Sequence, residues 1–206
     1  NNLSTAIIIL GIAVILIFVA SPKYAQFIWM GTLGIGFMTV FLALESYRLE
    51  RLAIWRHPEK FEKGYQTMQG LYAIGSGGLF GRGLGNSIQK LGFVPEAQND
   101  MIFSIICEEL GLIGACLILL LFLVIIWRFF VIAWRAPDLF GTLIAAGAMA
   151  HMMIQVILNV AVVTNSIPNT GITLPFVSYG GTSVVFLMVE MGLVLSVSSL
   201  VKYTEI

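Results

Sequence analysis

Five long apolar runs constrain the fold of this chain more than any other feature of its sequence. A helix that spans a bilayer needs about 20 mostly apolar residues. Runs close to that length cover residues 3–20, 27–44, 101–127, 139–163 and 183–201. The composition agrees, because only 11% of the residues are charged, against about 25% in a soluble domain. We therefore predict an all-α polytopic membrane protein with about five transmembrane helices.

Two segments between these runs are too polar or too irregular to span a membrane as helices. Residues 45–100 form a long polar loop in which 45–55 and 64–74 have helical patterns, so we expect the loop to be partly helical. Residues 166–182 are rich in Pro and Gly. Such backbone at membrane depth must be buried in protein or line a wet cavity, so we expect a re-entrant or loop segment. We assign the whole chain, 1–206, to a single membrane domain.

The charge pattern excludes one class of partner and leaves the orientation open. Eleven basic residues balance eleven acidic ones, which argues against a nucleic-acid partner because such proteins carry a basic excess. Five spans put loop 45–100 and segment 166–182 on the same side of the membrane. Loop 45–100 holds seven of the basic residues, which by itself favours the cytoplasm, but its length is near the limit where that rule applies.

The beginning of the chain indicates a preceding segment. The sequence enters an apolar run directly after Asn1, without the basic region and cleavage site of a signal peptide. We therefore expect that the N-terminal part of a longer protein precedes it.

Asp100 has the most informative position of any acidic residue, because it stands where the polar loop turns into the third apolar run. One interpretation is structural, since Asp is a favoured helix N-cap. The other is chemical. Glu96 lies four residues before Asp100, and partial burial would raise the pKa of the Asp100 carboxyl toward the range that suits a general base.

Several ionisable or polar residues lie within the apolar runs. Glu108, Glu109 and Glu190 are costly at such depth, so we expect them to face the interior of the helix bundle. Three residues recur every four positions and share one helix face: His151, Gln155 and Asn159. Hydrogen bonds between helices explain this pattern, and the lining of a polar cavity is the alternative.

A glycine-rich stretch over residues 75–87 matches no nucleotide-binding motif. It predicts a tight, closely packed turn. Glycines also let backbone amides approach an anion closely, and Arg82 and Lys90 supply positive charge nearby.

These stretches together resemble one family, the SEDS proteins (shape, elongation, division, sporulation) of the FtsW/RodA/SpoVE group. The matching positions are 64–66 with Gln69, 73–81, 83–87 with Gln89 and Lys90, 95–100, 108–111 and 168–181. Residues 47–48, Arg51, 55–58 and 83–90 are more similar to FtsW or SpoVE than to RodA. One departure is clear, because the family usually has His-Thr before the key aspartate, whereas this chain has Gln98 and Asn99.

The resemblance implies an architecture, an activity and partners. Family members have ten transmembrane helices, and this chain is similar to the last five. They are peptidoglycan glycosyltransferases of the bacterial cytoplasmic membrane that polymerise lipid II with inversion, together with a class B penicillin-binding protein. The resemblance therefore implies an extracytoplasmic loop 45–100, a place at the division septum or in sporulation wall synthesis, and contacts with other divisome membrane proteins and membrane lipid.

The resemblance also implies roles for individual residues. Asp100 matches the essential aspartate, the general base that deprotonates the 4-hydroxyl of the acceptor sugar. The diphosphate leaving group needs cationic stabilisation, for which Lys90 and Arg48 are preferred. The predicted substrate-binding residues are Arg48, Arg51, Lys90, Glu96, Gln66 and Ser178. No resident metal site is predicted; a divalent cation such as Mg²⁺ or Mn²⁺ could assist, with Asp100 and Glu96 as the available carboxylates.

Two other function classes remain as alternatives. A lipid II flippase or other transporter would account for the irregular segment 166–182 and the intramembrane acids. A non-catalytic scaffold for a class B penicillin-binding protein would need Asp100 only as a helix cap. Neither alternative needs a general base, so the variant Asp100→Asn separates both from the enzyme.

Overall fold

The computed structural model describes residues 3–21, 29, 31–32, 34, 36 and 46–201. The second predicted span, 27–44, lies outside the described residues apart from those five positions between 29 and 36. The side chain of Arg48 also lies outside them, although its backbone belongs to a helix.

Six α-helices have defined bounds in the described part of the chain, and the described positions 29, 31–32, 34 and 36 are helical as well. The six helices are α1 (Leu3–Ala20), α2 (Ser46–Arg56), α3 (Tyr65–Gly77), α4 (Ile102–Arg135), α5 (Leu139–Val163) and α6 (Gly181–Leu200). Short 3₁₀ helices cover Pro58–Lys60, Glu62–Gly64 and Gln89–Leu91. No β-strand occurs in these ranges, so the predicted all-α class is confirmed.

Three helices, α4, α5 and α6, are long and apolar enough to cross a membrane. Residues Thr5–Ala20 of α1 form a shorter apolar helix. The two helices predicted inside loop 45–100 correspond to α2 and α3. The third span was predicted to end at residue 127, but α4 continues to Arg135. The added turns carry an aromatic series in which the Phe130 ring lies 5.8 Å from that of Trp127 and 6.2 Å from that of Trp134. Aromatic residues of this kind favour the membrane–water boundary.

Helix α5 lies at the centre of the packing and contacts α1, α4 and α6. Its inner surface is made largely of alanine, and Ala145 and Ala150 are completely buried. Small side chains let helix backbones approach closely, which is the main source of helix association where lipid removes the hydrophobic driving force. Helix α3 packs against the N-terminal part of α4 and so brings loop 45–100 against the membrane helices.

Helix α4 is broken at Gly111, where φ is 68° and ψ is −170°. In a regular helix the Leu112 and Ile113 amides would donate to the Glu108 and Glu109 carbonyls. Here the Leu112 amide donates to Gly78 O (2.9 Å) and the Ile113 amide to Leu79 O (3.2 Å).

The two carbonyls freed by the break are paired as well. The amides of Arg82 and Gly83 donate to Glu108 O and Glu109 O, each at 2.9 Å. A Cβ on Gly111 would lie 2.3 Å from the Gly81 nitrogen, so only glycine permits this approach. Residues 78–93, here named the kink loop, thereby replace the hydrogen bonds that α4 loses.

Candidate functional site

Asp100 lies in the turn that leads into α4 and is only 8% exposed. The N-cap of α4 is Met101, so the interpretation of Asp100 as a simple helix cap is wrong. Gln66 Nε2 on α3 lies 3.4 Å from Asp100 Oδ1 and 3.5 Å from Oδ2, at the long end of the range for such bonds. The carboxylate is therefore buried, and its side-chain partner Gln66 is distant.

Burial raises the pKa of the Asp100 carboxyl above its ordinary value, and the negative charge of Glu96 adds to the rise. The backbone amides of Asp100 and Met101 and the Gln66 amide favour the charged form without cancelling the effect. A carboxyl with a raised pKa is a stronger base once ionised, which is the property that proton abstraction near neutral pH requires.

A cleft of about 350 Å³ opens beside this carboxylate, and we name it the Asp100 cleft. Its walls come from α2, from the start of α3, from Asp100 itself and from the segment after α5. The lining residues are Arg51, Ile54, Trp55, Lys63, Gln66, Thr67, Asp100, Asn165, Asn169, Thr170 and Gly171. The structure thus brings three predicted site residues together: Arg51, Gln66 and Asp100.

One end of the cleft is closed by a reciprocal pair of hydrogen bonds. Trp55 Nε1 donates to Asn165 O (2.9 Å), and Asn165 Nδ2 donates to Trp55 O (3.3 Å). This pair ties α2 to the segment after α5. On another wall, Asn169 Nδ2 donates to Gln66 Oε1 (3.3 Å). Since the Gln66 oxygen accepts from Asn169, its amide nitrogen is directed toward Asp100.

The main chain at Asp100 is fixed by α5. Asn159 is completely buried, and its Nδ2 donates to Asp100 O (2.8 Å) and to Ile172 O (2.7 Å). One side-chain amide therefore joins the turn before α4 to segment 166–182. This explains one member of the polar stripe on α5. Another, His151, makes the expected bond between helices, with Nδ1 at 2.9 Å from Glu190 Oε2.

Segment 166–182 is held to the same turn at two further points. Ser178 Oγ donates to Asn99 O (2.7 Å) and accepts from the Leu174 amide (2.7 Å). The Tyr179 amide donates to Gln98 O (2.8 Å). Ser178 is buried, does not line the Asp100 cleft and supports the backbone that carries Asp100. Its predicted role as a substrate contact stays a prediction.

Two other predicted site residues lie elsewhere. Lys90 and Glu96 line a second groove of about 470 Å³, which shares no lining residue with the Asp100 cleft. Lys90 Nζ lies 2.6 Å from Glu109 Oε1, and Glu96 is hydrogen bonded to Asn99 Nδ2. The two carboxylates named for a divalent cation, Asp100 and Glu96, therefore line different grooves. Within the described ranges, no three His, Cys, Asp or Glu side chains converge as metal ligands do.

Glu108 and Glu109, here named the glutamate pair, bind the kink loop, and Glu108 is buried inside the protein as expected. Glu108 is 1% exposed and accepts from Ser87 Oγ (2.5 Å) and from the amides of Ile88 (3.2 Å) and Gln89 (3.3 Å). Arg82 Nη1 lies 3.7 Å from it.

Glu109 is bonded in the same way. It accepts from the amides of Gly85 (3.0 Å) and Ser87 (3.3 Å) and from Lys90 Nζ (2.6 Å). The predicted anion site of the glycine-rich stretch is therefore occupied by two carboxylates of the same chain.

The sequence analysis did not predict three residues that line the Asp100 cleft: Lys63, Asn165 and Asn169. It also did not predict that Asn159 would fix the backbone at Asp100. Lys63 had a usable signal, because it precedes Gln66 by three residues and one helical turn brings such positions to one face. Asn165 and Asn169 gave none, because their partners, Trp55 and Gln66, are more than 100 residues away in the chain.

Comparison with known proteins gives one consistent family. The model for the cell cycle proteins of the FTSW_RODA_SPOVE family matches residues 1–203. Stage V sporulation protein E of Bacillus subtilis (strain 168) is 45% identical over 205 residues, which cover 98% of this chain and 56% of that protein. A probable peptidoglycan glycosyltransferase FtsW of Coxiella burnetii is 38% identical over 202 residues, covering 96% and 54%.

A solved structure is also similar. That structure concerns the structural coordination of polymerization and crosslinking by a peptidoglycan synthase complex. One of its chains matches with a TM-score of 0.77 and 26% identity. The match covers all of this chain and 57% of that one. The chain thus spans about half the length of the curated relatives it matches.

Proposed function

This chain belongs to the FtsW/RodA/SpoVE family of multi-pass membrane proteins, and we propose from that premise that it contains the catalytic half of a peptidoglycan glycosyltransferase. The substrate would be lipid II, both as donor and as acceptor. One observation carries the proposal: a buried carboxylate with a raised pKa, Asp100, at the wall of a cleft that also holds two cationic side chains.

In the proposed reaction, Asp100 acts as the general base. Its carboxylate accepts the proton of the 4-hydroxyl of the acceptor sugar while that oxygen attacks the anomeric carbon of the lipid-linked donor. The new C–O bond forms as the bond from the anomeric carbon to the diphosphate oxygen breaks. The configuration inverts, as in inverting glycosidases, and no covalent sugar–enzyme intermediate is required.

The leaving diphosphate carries the electron pair of the broken bond and needs positive charge close to it. Arg51 and Lys63 both line the Asp100 cleft and are the residues we assign to this role. Lys90 and Arg48 are the candidates preferred from sequence. The side chain of Arg48 lies outside the described residues, and Lys90 lines the second groove, where it pairs with Glu109. Because Lys63 lines the Asp100 cleft, we transfer the assignment from Lys90 to Lys63 and keep Arg51.

The proposed location and partners follow from the family. Loop 45–100 and the Asp100 cleft would face the extracytoplasmic side of the bacterial cytoplasmic membrane, at the septum or at the developing spore wall. The similarity to a chain of a peptidoglycan synthase complex supports a class B penicillin-binding protein as partner, with other divisome membrane proteins around it.

The test uses the full-length protein that contains this chain, reconstituted with purified lipid II. Asp100→Asn preserves the shape of the side chain but removes the base, and we expect a loss of about 10²–10⁴-fold in glycan polymerisation with unchanged thermal unfolding. Exposed Glu62→Gln is the matched control and should retain the parent rate.

The proposal fails if Asp100→Asn polymerises lipid II at the parent rate. A lipid II flippase would then be examined by measuring translocation of labelled lipid II into vesicles. A translocation rate that is high and insensitive to Asp100→Asn would support the transporter instead.

A further inference from the structure

The kink loop, residues 78–93, presents large apolar side chains on its outer surface. Phe80 is 80% exposed and Leu84 is 78% exposed. The other large exposed apolar side chains of the loop are Leu79, Ile88, Leu91 and Phe93. Loops in water rarely display so many neighbouring apolar groups, and a patch of this kind marks a surface that something apolar covers.

The charges on α4 indicate how deep this loop lies. Between Glu109 and Arg128, the 18 residues 110–127 carry no charge. At a rise of 1.5 Å per residue they measure about 27 Å, close to the thickness of about 30 Å of a hydrocarbon core. Charged side chains avoid that core, so its boundary on the Asp100 side lies next to the glutamate pair.

The break at Gly111 brings the kink loop past this boundary. The carbonyls of Gly78 and Leu79 accept from the amides of Leu112 and Ile113, which both lie within the uncharged stretch of α4. The loop therefore touches the helix one turn beyond the glutamate pair, on the hydrocarbon side of it.

The apolar side chains of the loop continue the lipid-facing surface of α4. Phe80 and Leu84 line a groove of about 470 Å³ together with Ile113, Gly114 and Leu117. Leu117 is itself exposed on α4 and lies two turns below Glu109, at about 12 Å along the helix axis. The side chains of the loop and of the helix thus form one continuous apolar surface.

Part of the polar backbone of the loop is paired within the protein, as this position requires. Lipid offers no hydrogen bonds, so backbone groups at that depth must be paired within the protein. The kink pairs the carbonyls of residues 78 and 79 and the amides of residues 82 and 83. The glutamate pair accepts the amides of residues 85, 87, 88 and 89.

We propose that the kink loop is seated in the bilayer, with Phe80 and Leu84 among the acyl chains of the leaflet on the Asp100 side. The glutamate pair and Lys90 then lie at the headgroup boundary, where the loop shields the two carboxylates. This inference does not rest on the proposed function. It places part of the segment predicted as an extramembrane loop within the membrane.

The test places a tryptophan reporter at the proposed contact. Phe80→Trp is made in the full-length protein and reconstituted in phosphatidylcholine vesicles with or without bromine on the acyl chains. Because an interfacial apolar group enters the acyl region by about 5–10 Å, we expect brominated lipid to lower the emission added by Phe80→Trp about twofold or more. Phe61→Trp, which stands between Lys60 and Glu62, is the control and should change little.

A second measurement does not depend on which side of the membrane the loop faces. N-ethylmaleimide crosses membranes and reacts with the thiolate, so only a cysteine in contact with water reacts quickly. In membranes, Phe80→Cys and Leu84→Cys should react about tenfold or more slowly than exposed Glu62→Cys. Equal rates would show that water covers the loop and would overturn the proposal. Slow reaction without quenching by brominated lipid would overturn it too, because another protein surface would then cover the loop.

Discussion

Asp100 and the glutamate pair stand within ten residues of one another, yet their surroundings differ in kind. The Asp100 carboxylate accepts from its own amide and from the Met101 amide, and the Gln66 amide lies 3.4–3.5 Å away. The glutamate pair accepts four backbone amides, one hydroxyl and one ammonium group. Hydrogen bonds to a charged group lower its energy and restrict its movement. We therefore expect the two carboxylates that one loop encloses to stabilise the fold, and Asp100, which has a distant side-chain partner and faces a cleft, to stay available for proton transfer.

The two sites also differ in how they are assembled. The donors to the glutamate pair all come from one short part of the kink loop, residues 85–90. The Asp100 cleft is assembled from four segments, which are joined by bonds such as Trp55 to Asn165 and Asn169 to Gln66. We expect the first site to govern stability and the second to govern activity, and the following variants examine that division.

Glu108→Gln should give the largest loss of stability. The amide nitrogen of Gln cannot accept from the Ser87 hydroxyl or the Gln89 amide, and buried donors would lose a charged partner. Since such bonds contribute about 1.5–3 kcal/mol each, we expect unfolding to become easier by about 3 kcal/mol. Thermal unfolding of the reconstituted protein is the measurement, with Glu62→Gln as the exposed control.

Glu109→Gln should act in the same direction with a smaller loss, because Glu109 is less buried. In both variants the rate of polymerisation per folded molecule should stay near that of the parent. A normal unfolding curve combined with lost activity would reverse the division and place the glutamate pair in the reaction.

Lys63→Met and Lys90→Met form a matched pair of charge deletions. Lys63 lines the Asp100 cleft, so its loss should raise KM for lipid II about tenfold, in line with the 1.5–3 kcal/mol of a charged hydrogen bond. Lys90→Met should instead lower stability, because Glu109 loses its cation. If Lys90→Met raised KM and Lys63→Met did not, the diphosphate would bind in the second groove.

Asn159→Ala tests whether a side chain outside the cleft positions the base. It leaves Asp100 O and Ile172 O without their donor, which costs about 1–3 kcal/mol of stability. We expect kcat to fall several-fold while KM changes little. Gln155→Ala, one helical turn earlier on α5, is the control. A change confined to stability, with kcat and its pH dependence both intact, would make Asn159 purely structural.

Glu96→Gln should have the smallest effect, which appears in the pH profile. The base must be ionised, so the rate falls as the pH drops through the pKa of Asp100, which lies above the ordinary value. Removing the negative charge of Glu96 lowers that pKa and moves the acid limb to lower pH. Because burial is the larger cause, the shift should be less than about one pH unit. A limb that stays in place would show that Glu96 does not act on Asp100.

The sequence predicts the membrane helices and Asp100 because both signals are local. An uninterrupted apolar run can be read without knowing its neighbours, and an acid at the edge of such a run stands out. The bounds of α5 are predicted correctly for that reason. Local patterns also predict α2 and α3 inside the polar loop.

The rest of the site depends on contacts that no local pattern contains. Lys63, Asn165 and Asn169 reach the cleft only because α2, α3 and the segment after α5 meet there. Gly111 stands inside an apolar run and does not by itself predict a broken helix. Lys90 has the charge that a diphosphate needs. It pairs with Glu109 instead, and the local sequence does not predict that the fold brings these two residues together.

The break at Gly111 bears on how the chain matures during synthesis. Residues 78–83 leave the ribosome before α4. Until they dock, the only partners within α4 for its four displaced backbone groups are one another, in an unbroken helix. The broken form of α4 therefore requires the kink loop. Asn159 and segment 166–182 emerge later still, which makes the Asp100 cleft one of the last parts of the protein to form.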